Sequence, residues 1–339
     1  MSEPRFARFT DLPDFRFVCK IGRPQGSPLR MDRGYGIRDM GNIKLYKDFL
    51  REVFPQCERV RKVSLNAGFS CPNLDGTVGK GGCAYCDNKS FSAVATSELS
   101  VAEQLEDGMK MAKNCGILAY FQSYTNTHAP VERLREVFMP VIQHSRVVGI
   151  SIGTRPDCLS QEVVNLLVEL NNIKPVIVEI GVQSANDKTL KSINRNHTAK
   201  QVRDAAAHCK NAGLLITSHI IIGLPNEDMS DFINTAKLIA ECGFSAVKIH
   251  PLHIVKGTKF AEEYARGKIG LLSMEDYCKA AAEVIRIVQP DVAIERVSAE
   301  DATSRSGGGG KVIAPDWCGQ REKIWECINA ILGAGAVVR

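Results

Sequence analysis

No stretch of this chain reaches about 18 consecutive apolar residues, so the sequence offers no transmembrane helix. Its first residues carry no apolar core of the secretory type. Secretion is therefore not expected, and a cytoplasmic location is. A phosphate-binding loop is also missing. Ser306-Gly307-Gly308-Gly309-Gly310 is rich in glycine, but no Gly-Lys-Ser/Thr follows a strand there, and the tract reads as a flexible connector. Charge of one sign is in only slight excess. Forty-three Lys and Arg against 38 Asp and Glu leave a net +5, which permits a polyanion such as RNA without demanding one. The remaining composition, 44% hydrophobic and 24% charged over 339 residues, suits one large α/β barrel-type domain with appendages.

Three of the twelve cysteines lie together, in Cys71-Pro72-Asn73-Leu74-Asp75-Gly76-Thr77-Val78-Gly79-Lys80-Gly81-Gly82-Cys83-Ala84-Tyr85-Cys86. What this segment lacks is a fourth ligand. The next cysteine is Cys115 and the next histidine His128. Three thiolates can hold three irons of a [4Fe–4S] cluster and leave one corner open, and an open metal position is where chemistry can occur. Gly76, Gly79, Gly81 and Gly82 allow positive φ and a close approach of backbone to a ligand. The alternatives are zinc, a redox dithiol or ordinary buried cysteines. Zinc prefers four ligands in a closed site. The other nine cysteines are scattered and read as small buried hydrophobes, in a reducing environment rather than as disulfides.

Residues 1–34 have no hydrophobic period and carry Arg5, Arg8, Arg16, Lys20, Arg23, Arg30 and Arg33. They read as a flexible basic arm, either a solvated tail or a contact for RNA. From residue 62 onward short β-branched runs recur at Val63–Leu65, Ile117–Phe121, Val147–Ile152, Val176–Ile180, Leu214–Ile222 and Ala246–Ile249. Amphipathic patterns lie between them, such as Val131, Leu134, Val137, Phe138, Val141 and Ile142, or Phe232, Ile233, Ala236, Leu238 and Ile239. From Ile117 the strands repeat about every 30 residues, the length of a βαβ unit, which predicts a parallel sheet with helices outside. The expected fold is α/β, a partial (β/α)6 TIM-type barrel over 35–290. An extension over 291–339, with a seventh short strand at Val292–Ile294 and a helix at about 320–332, is expected to close its mouth.

Barrel chemistry sits at the C-terminal ends of the strands, and the cysteine loop follows the first strand directly. Other polar residues fall at the same end: Gln122, Ser123 and Tyr124 after the second strand, Thr154 and Arg155 after the third, Glu179 and Gln183 on the fourth, and His219, Ile221 and Gly223 on the fifth. Glu179 lies inside an apolar run, so its burial requires a partner, Arg155 among the candidates. Asp157 is placed to lock Arg155. Arg195 and His197 are candidates for contact with substrate or cofactor, or for capping a helix. Lys248, His250 and His253 on and after the sixth strand are candidates to bind a phosphate or carboxylate of substrate, Lys248 and His250 sharing one face by period two. Trp317 reads as a packing residue or part of a lid.

Taken together, these segments resemble the radical S-adenosylmethionine (SAM) superfamily. The usual spacing there is Cys-x3-Cys-x2-Cys, whereas here the first gap is eleven residues. Asn66-Ala67-Gly68-Phe69, Asp75-Gly76-Thr77 and Gly81-Gly82-Cys83 are similar to the YhcC-type members, which are relatives of the Elongator catalytic subunit. So are Ser151-Ile152-Gly153-Thr154-Arg155-Pro156-Asp157, Glu179-Ile180-Gly181-Val182-Gln183-Ser184, Asn194-Arg195-Asn196-His197 and His219-Ile220-Ile221-Ile222-Gly223-Leu224-Pro225-Asn226-Glu227. The resemblance spans roughly residues 40–332.

It implies a [4Fe–4S] cluster on Cys71, Cys83 and Cys86, with SAM chelating the fourth iron and being cleaved reductively to a 5′-deoxyadenosyl radical that takes hydrogen from substrate. Gln122, Ser123 and Tyr124 then stand where the family binds the SAM amino group. Arg155 is placed for the SAM carboxylate, Glu179 for a ribose hydroxyl or the sulfonium region, and Ile221 and Gly223 for the adenine. The resemblance further implies an electron donor such as flavodoxin or ferredoxin, and tRNA as substrate through a wobble uridine side chain. The reading from another class is a non-catalytic zinc or Fe–S scaffold or electron carrier.

Overall fold

The computed structural model describes residues 43–87, 94–298 and 312–334. The basic arm, Cys19 and the Ser306–Gly310 connector lie outside the described residues. Seven strands form one sheet: β1 (Val60–Leu65), β2 (Gly116–Phe121), β3 (Val147–Thr154), β4 (Val176–Gln183), β5 (Leu215–Ile222), β6 (Ala246–Pro251) and β8 (Ala293–Arg296). Their order in space follows the chain, and every neighbouring pair is parallel. Consecutive parallel neighbours joined by helices curl the sheet into a partial barrel with its helices outside. β8 pairs with β6, so the sheet runs past the boundary expected at residue 290. Closure of the mouth by 291–339 rests in part on residues 299–311, outside the described residues.

The helices are α1 (Tyr46–Val53), α2 (Val101–Lys110), α3 (Val131–Gln143), α4 (Gln161–Asn171), α5 (Asp187–Ser192), α6 (Ala199–Asn211), α7 (Met229–Cys242), α8 (Lys259–Ala265), α9 (Met274–Val288) and α10 (Arg321–Ala334). Local sequence sets their ends. Ser100 with Glu103 and Thr198 with Gln201 form capping boxes at α2 and α6, satisfying backbone N–H groups that have no intrahelical acceptor. α7 stops at Gly243, whose φ of +65° costs glycine nothing. On α3 the predicted face is buried at Leu134, Val137, Phe138, Val141 and Ile142. On α7 Thr235 joins Phe232, Ala236, Leu238 and Ile239, while Ile233 is half-buried. Among the described residues no helix is long and apolar enough to cross a membrane.

Alternation along the strands separates two environments. Val176, Val178, Ile180 and Val182 of β4 pack outward with the helices. Ile177 faces inward, where Leu118, Ala246 and Ala293 from other strands meet Tyr46 and Phe49 of α1 and Phe54 behind it. The short helix α1, unseen in the sequence pattern, thus plugs one end of the barrel. Two residues further along each strand, on the same inward face, the apolar plug gives way to Tyr120, Glu179, Lys248 and Glu295. A separate antiparallel pair joins β7 (Ile254–Val255) to β9 (Val312–Ala314). Trp317 follows it, 9% exposed, with its ring 5.2 Å from that of Tyr277, so it packs.

Candidate active site

The cysteine loop leaves the C-terminal end of β1, as the sequence led us to expect. Cys71 and Cys83 are buried and Cys86 is half-buried. The loop folds on itself: the Val78 and Gly79 amides both donate to the Pro72 carbonyl, and the Gly82 amide donates to that of Asn73. Gly81 and Gly82 take φ of +80° and +75°, a region that side chains disfavour. Gly79 is needed for a different reason. A Cβ there would lie 2.7 Å from Asn196 Nδ2.

The segment 194–197 forms the far wall of this loop. Asn194 Nδ2 donates to the carbonyls of Lys80 at 3.0 Å and Gly82 at 2.6 Å. The Arg195 guanidinium places Nη1 3.8 Å from Cys83 Sγ, and Nη2 donates to the Gly181 carbonyl at 3.1 Å. Asn73, fully buried, donates to Cys83 Sγ at 3.3 Å and to the carbonyls of Asn194 and Arg195. Arg195 and His197, candidates for substrate or cofactor contact, are packed here on the cysteine-loop side. His197 Nε2 bonds the Val182 carbonyl at 3.2 Å, and α6 is capped by Thr198. Burial, then the charges of Arg195 and Arg155, push the His197 imidazole down to about 2, so the ring is neutral. Burial raises the Cys86 thiol, and its neighbour Cys83 raises it further. These are thiols gathered closely enough to feel one another.

Among the described residues no trio of Cys, His, Asp or Glu converges on a point suited to one metal ion. A [4Fe–4S] cluster takes its thiolates at separate corners. The donor set fits it: three thiols on one loop, with an amide N–H₂ and a guanidinium already directed at one sulfur.

At the neighbouring strand ends, Gln122 accepts from Ser64 Oγ at 3.1 Å, Ser123 is buried, and Tyr124 takes a φ of +62°. Thr154 shares a hydrogen bond with Thr127. Arg155 is 1% exposed. Nε and Nη2 donate to Asp157 at 2.9 and 2.8 Å, Nη2 also reaches the Arg195 carbonyl, and Nη1 is buried with no partner among the described residues. Gln183 has a φ of +66°. Ile221 and Tyr85 each pack against a second apolar cluster, and Gly223, φ +92°, closes on Leu272.

Inside the barrel lies a charged lattice that the sequence did not reveal. The partner required by Glu179 is not one group but four. Its oxygens accept from Lys62 at 2.7 Å, Ser151 at 2.6 Å, His219 at 2.7 Å and Lys248. Its side chain is 0% exposed and Arg155 is not among its partners. Lys62 also meets Glu295 at 2.7 Å, and Lys248 meets it at 3.4 Å. Both ammonium groups lie over the Tyr120 ring. Burial would raise the Glu179 carboxyl, but Lys248 and Lys62 hold it well below the usual range. Burial brings Lys248 down to about 8. Burial and Lys248 bring His219 down to about 4. His250 accepts from Arg296 Nη2 at 3.2 Å, and His253 is buried close by. Lys62, Tyr120, Glu295 and Arg296 escaped sequence reading. The one available signal was a charged residue at an inward position of a strand.

Comparison with known proteins agrees with this geometry. The family model described as the radical SAM superfamily matches residues 77–239, and that of the Radical_SAM C-terminal domain matches 244–332. Protein YhcC of Escherichia coli K12 is 39% identical over 78% of this chain and 84% of its own length. The protein YtqA of Bacillus subtilis 168, which carries no assigned function, is 38% identical over 83% of this chain and 86% of its own. Among solved structures, an archaeal Elp3 from Methanocaldococcus infernus superposes with a TM-score of 0.57 at 19% identity. That match covers 82% of this chain and 63% of the other, so the likeness is one of fold and this chain spans under two thirds of that protein. From the cysteine loop, the parallel partial barrel and relatives alike over most of their length, the chain belongs to the radical SAM superfamily, as a YhcC-type radical SAM enzyme.

Proposed function

We propose that this enzyme binds a [4Fe–4S] cluster on Cys71, Cys83 and Cys86, binds SAM across the ends of β2 to β5, and modifies a wobble uridine side chain of tRNA. The observation that carries the cofactor reading is the three-thiol loop at the C-terminal end of β1 with Arg195 and Asn73 directed at Cys83. When bound, cluster and SAM together supply a hydrogen-abstracting radical chemistry that no protein side chain provides.

The chain's own residues position and shield. Gln122, Ser123 and Tyr124 take the amino group of SAM. Arg155 offers its carboxylate the buried, unpartnered Nη1, while Asp157 holds the rest of the guanidinium in place. Thr154 and Gln183 flank this end, and Ile221 and Gly223 form the apolar wall beside it. Glu179 acts on the site through the lattice, by holding His219 and Lys248. A flavodoxin or ferredoxin supplies the electron.

The tRNA substrate is supported by the resemblance to the Elongator catalytic subunit and by the fold shared with an archaeal Elp3. The test is incubation of reconstituted, dithionite-reduced protein with SAM and bulk tRNA, with nucleoside profiling of tRNA from a deletion strain. We expect 5′-deoxyadenosine and a changed modified-uridine signal. 5′-Deoxyadenosine formation with an unchanged tRNA profile would replace tRNA by a metabolite or protein substrate.

A further inference from the structure

On the barrel floor, charge is left over. Three cations, Lys62, Lys248 and Arg296, face two carboxylates, Glu179 and Glu295. The lysines use both carboxylates. Arg296 has no carboxylate partner among the described residues. Among the described residues its hydrogen bond runs from Nη2 to His250 Nε2, a neutral acceptor, and its buried Nε has no partner there. Arg296 is half-buried and lies in the field of Glu295, but that carboxylate is already ion-paired with Lys62 and Lys248, so the guanidinium keeps the capacity to pair with a further anion.

Its surroundings suit such a ligand. A register shift between β6 and β8 at Val247/Lys248 breaks the alternation, so consecutive residues Glu295 and Arg296 both serve the barrel interior. The His219 and His250 rings lie 6.2 Å apart, with His253 near His250. Because His250 accepts from Arg296 at Nε2, its proton sits on Nδ1, available to donate. His219 retains 21% exposure of its side chain, and His250 and Arg296 are half-buried, so the group is reached from the mouth of the barrel. His219 lies within β5, His250 near the C-terminal end of β6 and Arg296 at that of β8, the end from which the cysteine loop leaves β1.

We propose that Arg296, with the imidazole of His250, forms a seat for an oxyanion of the substrate, a carboxylate or a phosphate. Lys248, a candidate for this role from sequence, belongs to the lattice beneath it, since Glu179 takes its charge. The seat deepens the enzyme reading given above and rests on it for calling the ligand a substrate. Its binding test requires no SAM.

Isothermal titration of the full chain, before and after cluster reconstitution, with inorganic phosphate and separately with acetate is the measurement. At least one anion should saturate at a single site. Arg296→Gln should weaken it tenfold or more, and Arg296→Lys less. Whichever anion binds more tightly identifies the source as phosphate or carboxylate. Should Arg296→Gln lose its circular dichroism spectrum, His250→Asn, which frees the guanidinium from its anchor, should weaken the same anion. Failure of both anions to saturate the wild type overturns the proposal, as does unchanged affinity in a folded Arg296→Gln. Failure of SAM cleavage leaves the titration untouched, so the two readings fall separately.

Discussion

Arg195 Nη1 lies 3.8 Å from Cys83 Sγ across 112 residues of chain. A cation at that point lowers the cost of a thiolate and favours whichever cluster state carries more negative charge. The same residue donates to Gly181 at the heart of the sheet. It thereby fixes the cysteine loop to the barrel.

Arg195→Gln removes this cation but keeps a hydrogen-bond donor. Iron content should remain near that of the wild type, while the cluster's reduction potential moves to more negative values. A redox titration followed by electron paramagnetic resonance reads the shift. An unchanged or raised potential would show that the guanidinium serves only to pack the loop.

Cys83→Ala deletes the sulfur that Asn73 and Arg195 approach. The substitution removes little volume, and the core of the sheet lies elsewhere. Far-UV circular dichroism should be preserved, iron retention should fall severalfold, and 5′-deoxyadenosine formation should disappear. Continued SAM cleavage by the variant would remove the cluster assignment.

Glu179→Gln leaves Lys62 and Lys248 to share Glu295, one carboxylate for two buried ammonium groups among the described residues. Breaking a buried ion pair on one side costs about 3–5 kcal/mol. Chemical denaturation should show a loss of that order, and Glu179→Gln combined with Lys248→Met should recover part of it. Equal stability of single variant and wild type would show that the lattice is not coupled as its geometry indicates.

His219 titrates at about 4 in the fold, against 6.5 ordinarily, because burial and Lys248 oppose its protonation. The unfolded chain therefore takes up the proton first. Its contribution to stability is complete above pH 6.5, falls as pH drops toward 4, and is flat below that. The difference amounts to about 3 kcal/mol. His219→Gln should flatten the dependence of unfolding free energy on pH in this window and leave it alone above. An identical slope in both proteins would show that the ring is protonated in the fold.

Much of the architecture was legible because its signals are local. Val147–Ile152 and Val176–Ile180 announce strands by short runs rich in β-branched residues, since strands of a parallel sheet are covered on both sides. The cysteine loop declares itself because glycines and thiols must be near in sequence to make one turn. α1 was not legible. Eight residues carry too little periodicity to be distinguished, and its role depends on Leu118, Ile177 and Ala293, which come from three different strands. Arg195 read as a substrate or cofactor contact, and nothing in its sequence neighbours shows that it turns toward Cys83 in particular.

The sequence by itself determined the strand–helix alternation, the ligand loop and the end of the barrel at which chemistry occurs, each a matter of period, spacing or chain order. Tertiary structure decided which charges neutralise which. Lys62 and Glu295 stand 233 residues apart, yet their head groups meet at 2.7 Å. Closure of the sheet brings them together, and in a buried, weakly screened interior that distance, not their separation along the chain, sets the energy.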